Sequence, residues 1–237
     1  MREGKIRLLT WNVHSCVGTD RRLDPDRVTQ VIRTLDPDIA ALQEVDSRRD
    51  LRDGFDLLGS ALHIPHRSHR AEVRTVRTPD GDYGHMLLCR WEIKSWAQHD
   101  LSFRRREPRS LIEARIETDA GPVSILAAHL GLGYGERREQ ATTIARLAAA
   151  DRLPTVVMGD FNEPSGRGTA GRMLGKLFRS VGRPATFPSR WPLLPLDRIW
   201  FEPGLELLAT GVYRDSPEAS DHLPLWADLR LPAAAHH

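Results

Sequence analysis

The stretch IRLLTWNV at residues 6–13, followed by DIAALQ at residues 38–43, decides how the chain begins to fold. Apolar runs of this length that end in polar groups are typical of buried β-strands. Between them, Asp24 has the character of a helix N-cap and Pro25 that of a first helical residue, which predicts a helix to about Leu35. The chain therefore opens with a β-α-β unit.

The rest of the chain alternates extended segments with helices. We predict strands at 83–90, 92–100, 109–118, 122–130, 154–159, 196–201, 205–213 and 223–230, a helix at 136–150 and a short helix from Gly171 to Phe178. The sequence DAG at residues 119–121 is suited to a hairpin turn between two of these strands. Mixed strands with flanking helices predict an α/β fold in which helices cover two packed sheets.

The composition is that of an ordinary soluble globular protein. With 237 residues, of which 40% are hydrophobic, the chain is long enough to bury a sizeable core. Its 34 basic residues are balanced by 32 acidic ones, for a net charge of +2. This balance does not indicate a general binder of polyanions, so any affinity for nucleic acid has to come from a local patch.

The N-terminus and the two cysteines bear on localisation. The opening sequence MREGKIRLLTWNVHS lacks the apolar segment of a signal peptide, and no stretch approaches the ~18 apolar residues of a membrane span. Cys16 and Cys89 fit two reduced thiols. We therefore expect a cytoplasmic protein without a transmembrane segment, and nothing in the sequence implies a protein partner.

Polar side chains recur where the predicted strands begin or end, which is where α/β folds build their sites. These residues are Asn12, Glu44, His129, Asp160, Asn162, Asp197, Asp221 and His222. Each has a structural explanation when taken alone, because carboxylates after strands are usually surface groups and Asn or Asp often forms turns. Their combination favours a functional site.

Six motifs in a fixed order resemble one known family. The motifs are TWNVH (10–14), LQEVD (42–46), AAHLG (127–131), GDFN (159–162), LDRI (196–199) and SDHLPL (220–225). They resemble the endonuclease/exonuclease/phosphatase superfamily, which includes pancreatic deoxyribonuclease, abasic-site endonucleases, inositol polyphosphate 5-phosphatases and neutral sphingomyelinases. The resemblance implies a four-layered α/β/β/α sandwich with two mixed sheets flanked by helices. We expect one catalytic domain over residues 1–231 and a disordered tail at residues 232–237.

The resemblance implies a metal site with few protein ligands. Asn12, Glu44 and Asp221 match the residues that hold or adjoin the metal in the family. A hard cation such as Mg²⁺ prefers one or two carboxylates together with waters and substrate oxygens, which suits this set. We expect Mg²⁺, with Mn²⁺ as a substitute, rather than zinc, because no Cys/His cluster has structural zinc spacing.

The resemblance also implies catalytic roles for five residues. Asp160 matches the residue that orients or deprotonates the attacking water, and Asn162 its partner at the phosphate. His222 matches the histidine that contacts the scissile phosphate, with Asp197 as its orienting carboxylate. His129 matches a second histidine, which either stabilises the transition state or protonates the leaving group.

The segment YGHMLLCR departs from the family pattern, because His85 stands where the family often has asparagine. His85 either takes over binding of the phosphate or packs beside Tyr83. Some nucleases also provide an acidic partner for the residue that matches His129. Glu72 and Asp82 are the candidates for that partner here.

Two segments give clues to the substrate. The Arg-Glu-Pro step in the run RRREPRS at residues 104–110 resembles a segment of pancreatic deoxyribonuclease that contacts a phosphate. The resemblance implies that Arg106 or Arg109 binds a non-scissile phosphate. The alternative is a solvated strand edge that discourages aggregation. The Pro-rich loop at residues 186–197 carries Trp191 and other apolar residues. This loop stacks on a base, touches a lipid tail or headgroup, or packs rigidly on the sheet.

The sequence therefore predicts a Mg²⁺-dependent phosphoesterase in which an Asp-activated water attacks in line. The modest net charge and the apolar loop favour a small-molecule phosphate ester or a phospholipid headgroup as the substrate. The alternative is a DNA or RNA nuclease, favoured by the arginine run. A third hypothesis is an inactive binding module, which predicts loss of metal-binding or water-activating residues.

Overall fold

The computed structural model describes residues 4–48, 53–62, 69–165 and 168–232, within which the chain forms two six-stranded sheets and four α-helices. The strands are β1 (Lys5–Asn12), β2 (Ile39–Asp46), β3 (His69–Thr78), β4 (Gly81–Cys89), β5 (Ile93–Asp100), β6 (Ser110–Thr118), β7 (Gly121–His129), β8 (Thr155–Asp160), β9 (Arg179–Ser180), β10 (Asp197–Phe201), β11 (Glu206–Val212) and β12 (Leu225–Arg230). The helices are α1 (Pro25–Leu35), α2 (Gly54–Gly59), α3 (Tyr134–Ala150) and α4 (Thr169–Leu174).

Both sheets are mixed. The first has the strand order β11-β12-β1-β2-β4-β3, and the second has the order β5-β6-β7-β8-β10-β9. One central pair in each sheet is parallel, β1 with β2 and β7 with β8, and the other pairs are antiparallel. Each parallel pair brings two carboxyl ends to the same end of its sheet. Of the predicted site residues, Asn12, Glu44, His129 and Asp160 lie at or near these carboxyl ends. Asp197 begins β10, and Asp221 and His222 precede β12.

Three apolar clusters separate the layers. The first lies between the sheets, the second between the first sheet and α1 and α2, and the third between the second sheet and α3 and α4. Fully buried members are, in that order, Leu8 and Ile125, Trp11 and Ile32, and Ile144 and Phe161. Burial of each such side chain contributes about 1.5–3 kcal/mol. The order helix, sheet, sheet, helix confirms the predicted four-layered α/β/β/α sandwich.

Helix α1 shows how the sequence sets its boundaries. The Asp24 side chain accepts a hydrogen bond from the backbone N–H of Arg27 at 2.9 Å, and Pro25 takes the first helical position, as predicted. After Leu35 the chain turns through Asp36, whose φ of 45° lies in the left-handed region. This turn directs the chain into β2.

The structure corrects several predicted elements. The edge strand β3 and the short helix α2 were not predicted; in β3, charged residues alternate with buried ones such as Ala71 and Val73 and hide the apolar pattern. The short helix α4 begins before Gly171 and ends at Leu174, so the predicted continuation to Phe178 is wrong. Gly175 follows the last helical residue, where glycine's low helix propensity favours an end.

The structure also bears on the predictions for the tail, the cysteines and the membrane-spanning segments. Of the predicted tail at residues 232–237, residues 233–237 lie outside the described residues. Both Cys16 and Cys89 are buried and unpaired. Among the described helices, none has the length and apolar character needed to span a membrane.

Candidate active site

Asn12 links the two sheets at the site. It ends β1 in the first sheet, and its Nδ2 donates to Oε1 of Glu44 at 2.8 Å and to Oδ2 of Asp160, the last residue of β8, at 3.1 Å. Glu44 lies at a bulge in β2, and its φ of 57° turns it out of the regular strand. One buried amide therefore holds two carboxylates from opposite sheets.

Glu44 is ionised at neutral pH. Burial opposes its ionisation, but hydrogen bonding with His14 and Asn12 lowers the pKa of Glu44 to about 2. Nδ1 of His14 lies 3.5 Å from Oε2 of Glu44 and 3.7 Å from Oδ1 of Asp221. The hydrogen bond with Glu44 raises the pKa of His14, although burial opposes this. His14 therefore lies between two carboxylates that favour its charged form.

The turn that carries His14 is strained. His14, Ser15 and Cys16 have φ values of 47°, 56° and 56°, in a region that non-glycine residues rarely adopt. The side chain of Asn12 helps hold the turn, because its Oδ1 accepts from the backbone N–H of His14 at 3.0 Å. Such strain is characteristic of functional sites. His14 was not among the predicted site residues, although it is the last residue of the quoted motif TWNVH.

His222 and Asp197 form a buried pair. Nδ1 of His222 lies 2.9 Å from Oδ2 of Asp197, and Asp197 is inaccessible to solvent. Burial opposes the charged imidazole, but Asp197 and Asp160 raise the pKa of His222 to about 10. His222 is therefore an imidazolium at neutral pH. Its Nε2 points toward Oδ2 of Asp160 at 3.8 Å, and the Phe187 ring packs against it with 4.9 Å between ring centroids.

Asp160 is the most central carboxylate of the site. It is buried, and this burial raises its pKa above the usual aspartate range despite the nearby charge of His222. Its Oδ1 accepts from the backbone N–H of Asn162 at 2.9 Å, which fixes the carboxylate orientation. A carboxylate with a raised pKa is a better proton acceptor from water than an ordinary aspartate.

His129 has a partner of unexpected charge. Nη1 of Arg109 donates to its Nδ1 at 2.9 Å, and both side chains are nearly buried. Burial and the charge of Arg109 lower the pKa of His129 well below its ordinary value. Nε2 of His129 lies 3.7 Å from Oδ2 of Asp160 and 3.9 Å from Oε1 of Glu44.

The predicted acidic partners of His129 are wrong. Glu72 and Asp82 instead pair with Arg74, at 3.2 Å and 2.8 Å respectively. Both carboxylates belong to the neighbouring strands β3 and β4, where Arg74 lies between them. The place of an acidic partner beside His129 is taken by Arg109.

Some of the predicted substrate-binding residues lie in one cleft beside His129, and others do not. His85 and Arg109 line a narrow cleft beside His129, and Nε2 of His85 has no hydrogen-bond partner among the described residues. Burial, assisted by the charge of Arg109, lowers the pKa of His85 to about 4, so its imidazole is neutral. Arg106 is not brought to this cleft, because it pairs with Glu136 in the first turn of α3 at 3.6 Å.

The loop at residues 186–197 has a packed base and an exposed tip. Phe187 pairs with Leu194 through the backbone and contacts His222. Trp191 and Leu193, at the tip, are 79% and 77% exposed. The loop therefore forms one wall beside His222 and projects two apolar side chains into solvent.

The donor set fits a hard divalent cation better than a soft one. Single ligand atoms of Asp160, Asp197 and His222 all lie within 4.8 Å of one another. A protonated His222 is a poor metal ligand, because coordination requires neutral imidazole. Glu44 and Asp221 are partly exposed and converge on one nitrogen of His14, so they offer oxygens in the place best suited to a cation.

Comparisons with known proteins agree with this architecture. A model of the endonuclease/exonuclease/phosphatase family matches residues 9–222. The Escherichia coli K12 protein YbhP, itself uncharacterized, is 30% identical over 254 aligned residues, which cover 95% of this chain and 96% of YbhP. The chain therefore belongs to the endonuclease/exonuclease/phosphatase family, whose members are phosphoesterases or nucleases and whose enzymes typically depend on divalent metals.

Solved structures share the fold. An endonuclease/exonuclease/phosphatase from Beutenbergia cavernae DSM 12333 superimposes with a TM-score of 0.78 at 22% identity, covering 98% of this chain and 73% of that one. A mannosyl-6-phosphatase from Bacteroides thetaiotaomicron superimposes with a TM-score of 0.71 at 17% identity, covering 94% and 99%. At these identities the likeness establishes the architecture.

Proposed function

We propose that this protein is a Mg²⁺-dependent phosphoesterase that uses Asp160 to activate water. The observation that carries the proposal is the position of Asp160 between two histidines, one of which is charged and the other neutral. Nε2 of charged His222 lies 3.8 Å from its carboxylate, and Nε2 of neutral His129 lies 3.7 Å from it. A base beside one cationic and one neutral donor is suited to hydrolysis of an anionic ester.

The metal would be held at the partly exposed side of this group. Glu44 and Asp221 would provide carboxylate oxygens, and Asn12 would keep Glu44 in position through its 2.8 Å hydrogen bond. When bound, the cation neutralises charge on the phosphate and makes phosphorus more electrophilic. Mn²⁺ is expected to substitute for Mg²⁺, because both accept oxygen ligands.

The protein's own groups would position and stabilise the reaction. The water oxygen would form a bond to phosphorus as its proton passes to Asp160, and the bond to the ester oxygen would break as the leaving oxygen takes a proton from solvent. His222 donates from Nε2 to a phosphate oxygen, and Asp197 holds the imidazolium in place through Nδ1. Asn162 positions the Asp160 carboxylate through its backbone and adds an amide beside His129 at 3.3 Å.

Several observations support a small or lipid-linked phosphate ester as substrate. The net charge of +2 provides little attraction for a long polyanion. The exposed apolar tip formed by Trp191 and Leu193 is suited to an uncharged substrate portion. The same fold also occurs in a protein named as a mannosyl-6-phosphatase.

A nuclease is the second candidate. The arginines at residues 104–106 are exposed and offer a local basic patch next to the segment that carries Arg109. An exposed Trp191 would also stack on a nucleic acid base.

The deciding experiment is a substrate panel assayed with and without metal. We expect hydrolysis of p-nitrophenyl phosphate, bis-p-nitrophenyl phosphate, a sugar phosphate or a phospholipid, abolished by EDTA and restored by Mg²⁺ or Mn²⁺. Strong cutting of plasmid or abasic DNA at physiological salt would favour the nuclease. Full activity in EDTA would refute the metal role, and an absence of hydrolysis across the panel would favour the inactive binding module.

A further inference from the structure

The two histidines of the site are held by groups of opposite charge. Nδ1 of His222 faces the carboxylate of Asp197 at 2.9 Å, whereas Nδ1 of His129 faces the guanidinium of Arg109 at the same distance. Asp197, Arg109 and both histidines are nearly buried, so water does not replace these contacts. The nature of each partner therefore determines which ring nitrogen carries a proton.

A guanidinium has only N–H donors and no acceptor, and it stays charged in proteins. Because Arg109 donates to Nδ1 of His129, that nitrogen must provide a lone pair. The single proton of the neutral imidazole is then on Nε2. Asp197 has the reverse effect, because a carboxylate accepts the Nδ1 proton of His222 and stabilises its imidazolium.

Arg109 is itself held firmly. Its backbone carbonyl accepts from the N–H of Leu101 at 2.9 Å, and it immediately precedes β6, which pairs with the strand that ends at His129. The nearest acidic side chain, Glu107, lies against Arg109 at 3.2 Å and balances part of its charge. The guanidinium is therefore an intrinsic part of the wall behind His129.

The Nε2 proton of His129 is directed into the site. This nitrogen lies 3.7 Å from Asp160 and 3.9 Å from Glu44, in the space between the water-activating carboxylate and the proposed metal ligand. Nδ2 of Asn162 also lies 3.3 Å from it, but that amide donates to the carbonyl of Leu130 at 2.9 Å, and its longer, neutral contact is weaker than the charge-assisted hydrogen bond at Nδ1. A phosphate oxygen in that space would accept this proton in a hydrogen bond. Transfer of the proton to a leaving group would instead produce an imidazolate, which is a much stronger base than imidazole.

We infer that Arg109 is a positioning residue that fixes His129 as the Nε2–H tautomer, so that His129 binds a non-bridging phosphate oxygen and does not protonate the leaving group. This inference rests on the proposed phosphoesterase function for its catalytic part. Of the two roles that the sequence leaves open for His129, it selects stabilisation of the transition state. The substitution His129→Gln would retain an N–H donor, so it is expected to preserve part of this role.

The tautomer is tested without any substrate. The full-length protein is labelled with ¹⁵N-histidine, and the His129 ring signals are assigned by comparison with His129→Gln. We expect a proton on Nε2 and none on Nδ1 in the native chain, and a mixture of tautomers in Arg109→Met. Arg106→Met, from the same arginine run, is the matched control and is expected to leave the His129 signals unchanged. A proton on Nδ1 in the native chain would overturn the inference.

The catalytic part is tested with aryl phosphate esters whose leaving groups span a range of basicity. We expect His129→Ala to lower kcat about 10²-fold, and by the same factor for every ester. The kcat of His129→Gln is expected to be about 10-fold higher than that of His129→Ala. A loss that grows as the leaving group becomes more basic would show that His129 is a proton donor and would contradict the inference.

If Arg109→Met unfolds, Arg109→Lys takes its place in the NMR comparison, because the ammonium of the shorter lysine side chain is not expected to reach Nδ1 of His129. If no ester is hydrolysed, the proposed function fails while the NMR result still decides the tautomer.

Discussion

Asp197 and His222 form a fully enclosed acid–imidazole pair, in which 2.9 Å separates Oδ2 from Nδ1. We expect Asp197→Asn to lower kcat about 10²-fold or more, because the neutral amide no longer stabilises the imidazolium that is proposed to contact the phosphate. Steady-state kinetics on the best substrate of the panel measures this loss. A variant with unchanged kcat would show that Asp197 has no part in orienting His222, and its thermal midpoint distinguishes lost function from lost fold.

The same pair predicts how stability depends on pH. The pKa of His222 is raised from 6.5 to about 10 in the folded protein. A raised folded pKa contributes stability that is fully present below the unfolded value and is lost as pH rises toward the folded value. We therefore expect the native chain to lose more thermal stability between about pH 6.5 and pH 10 than Asp197→Asn does. Parallel pH profiles for the two proteins would contradict this prediction.

Glu44 is the residue on which metal affinity should depend most. Glu44→Gln removes an ionised carboxylate but keeps a side chain of the same size, which Asn12 still contacts. We expect the Mg²⁺ concentration for half-maximal activity to rise about 10- to 100-fold, a range typical of perturbed metal sites. Mg²⁺ titrations of activity measure this shift, and Glu92→Gln, on an exposed surface beside Lys94, is the control. Equal Mg²⁺ requirements for both variants would remove Glu44 from the metal site.

Phe161 couples the site to the core. It lies between Asp160 and Asn162, is fully buried, and packs edge to face on Trp200 with 4.6 Å between ring centroids. We expect Phe161→Ala to lower the free energy of unfolding by about 3–5 kcal/mol, measured by urea denaturation. Leu177→Ala, at a partly exposed position, is expected to change it by no more than about 0.5 kcal/mol. A loss of similar size in both variants would show that the contact with Trp200 adds little.

Most of the architecture could be predicted from the sequence because it depends on local patterns. Buried strands such as β1 and β8 are largely apolar runs. Helix α1 has a capping residue at its start, Asp24, and a residue that ends it, Asp36. The edge strand β3 was not predicted, because the charged side chains that protect a sheet edge from pairing with other chains also hide the apolar pattern of its buried positions.

The sequence could predict which residues form the candidate site, but not all of the contacts between them. Asp197 and His222 were matched to one another by resemblance, and the structure places them in contact. The contact between Arg109 and His129 depends on the pairing of β6 with β7 and on the direction of two side chains, neither of which a single sequence specifies. The strained backbone at His14 likewise depends on the surroundings that hold it.

The amide of Asn12 spans the boundary between the sheets, since Glu44 belongs to one and Asp160 to the other. The distance between the proposed metal ligand and the proposed base is therefore a measure of how the two sheets are aligned. A displacement of ~1 Å in reacting groups is enough to lower rates about 10²-fold. Substitutions deep between the sheets, far from any substrate, should thus impair turnover at a smaller perturbation than the one that unfolds the protein. The rate of the proposed reaction would then report how precisely the two sheets are aligned.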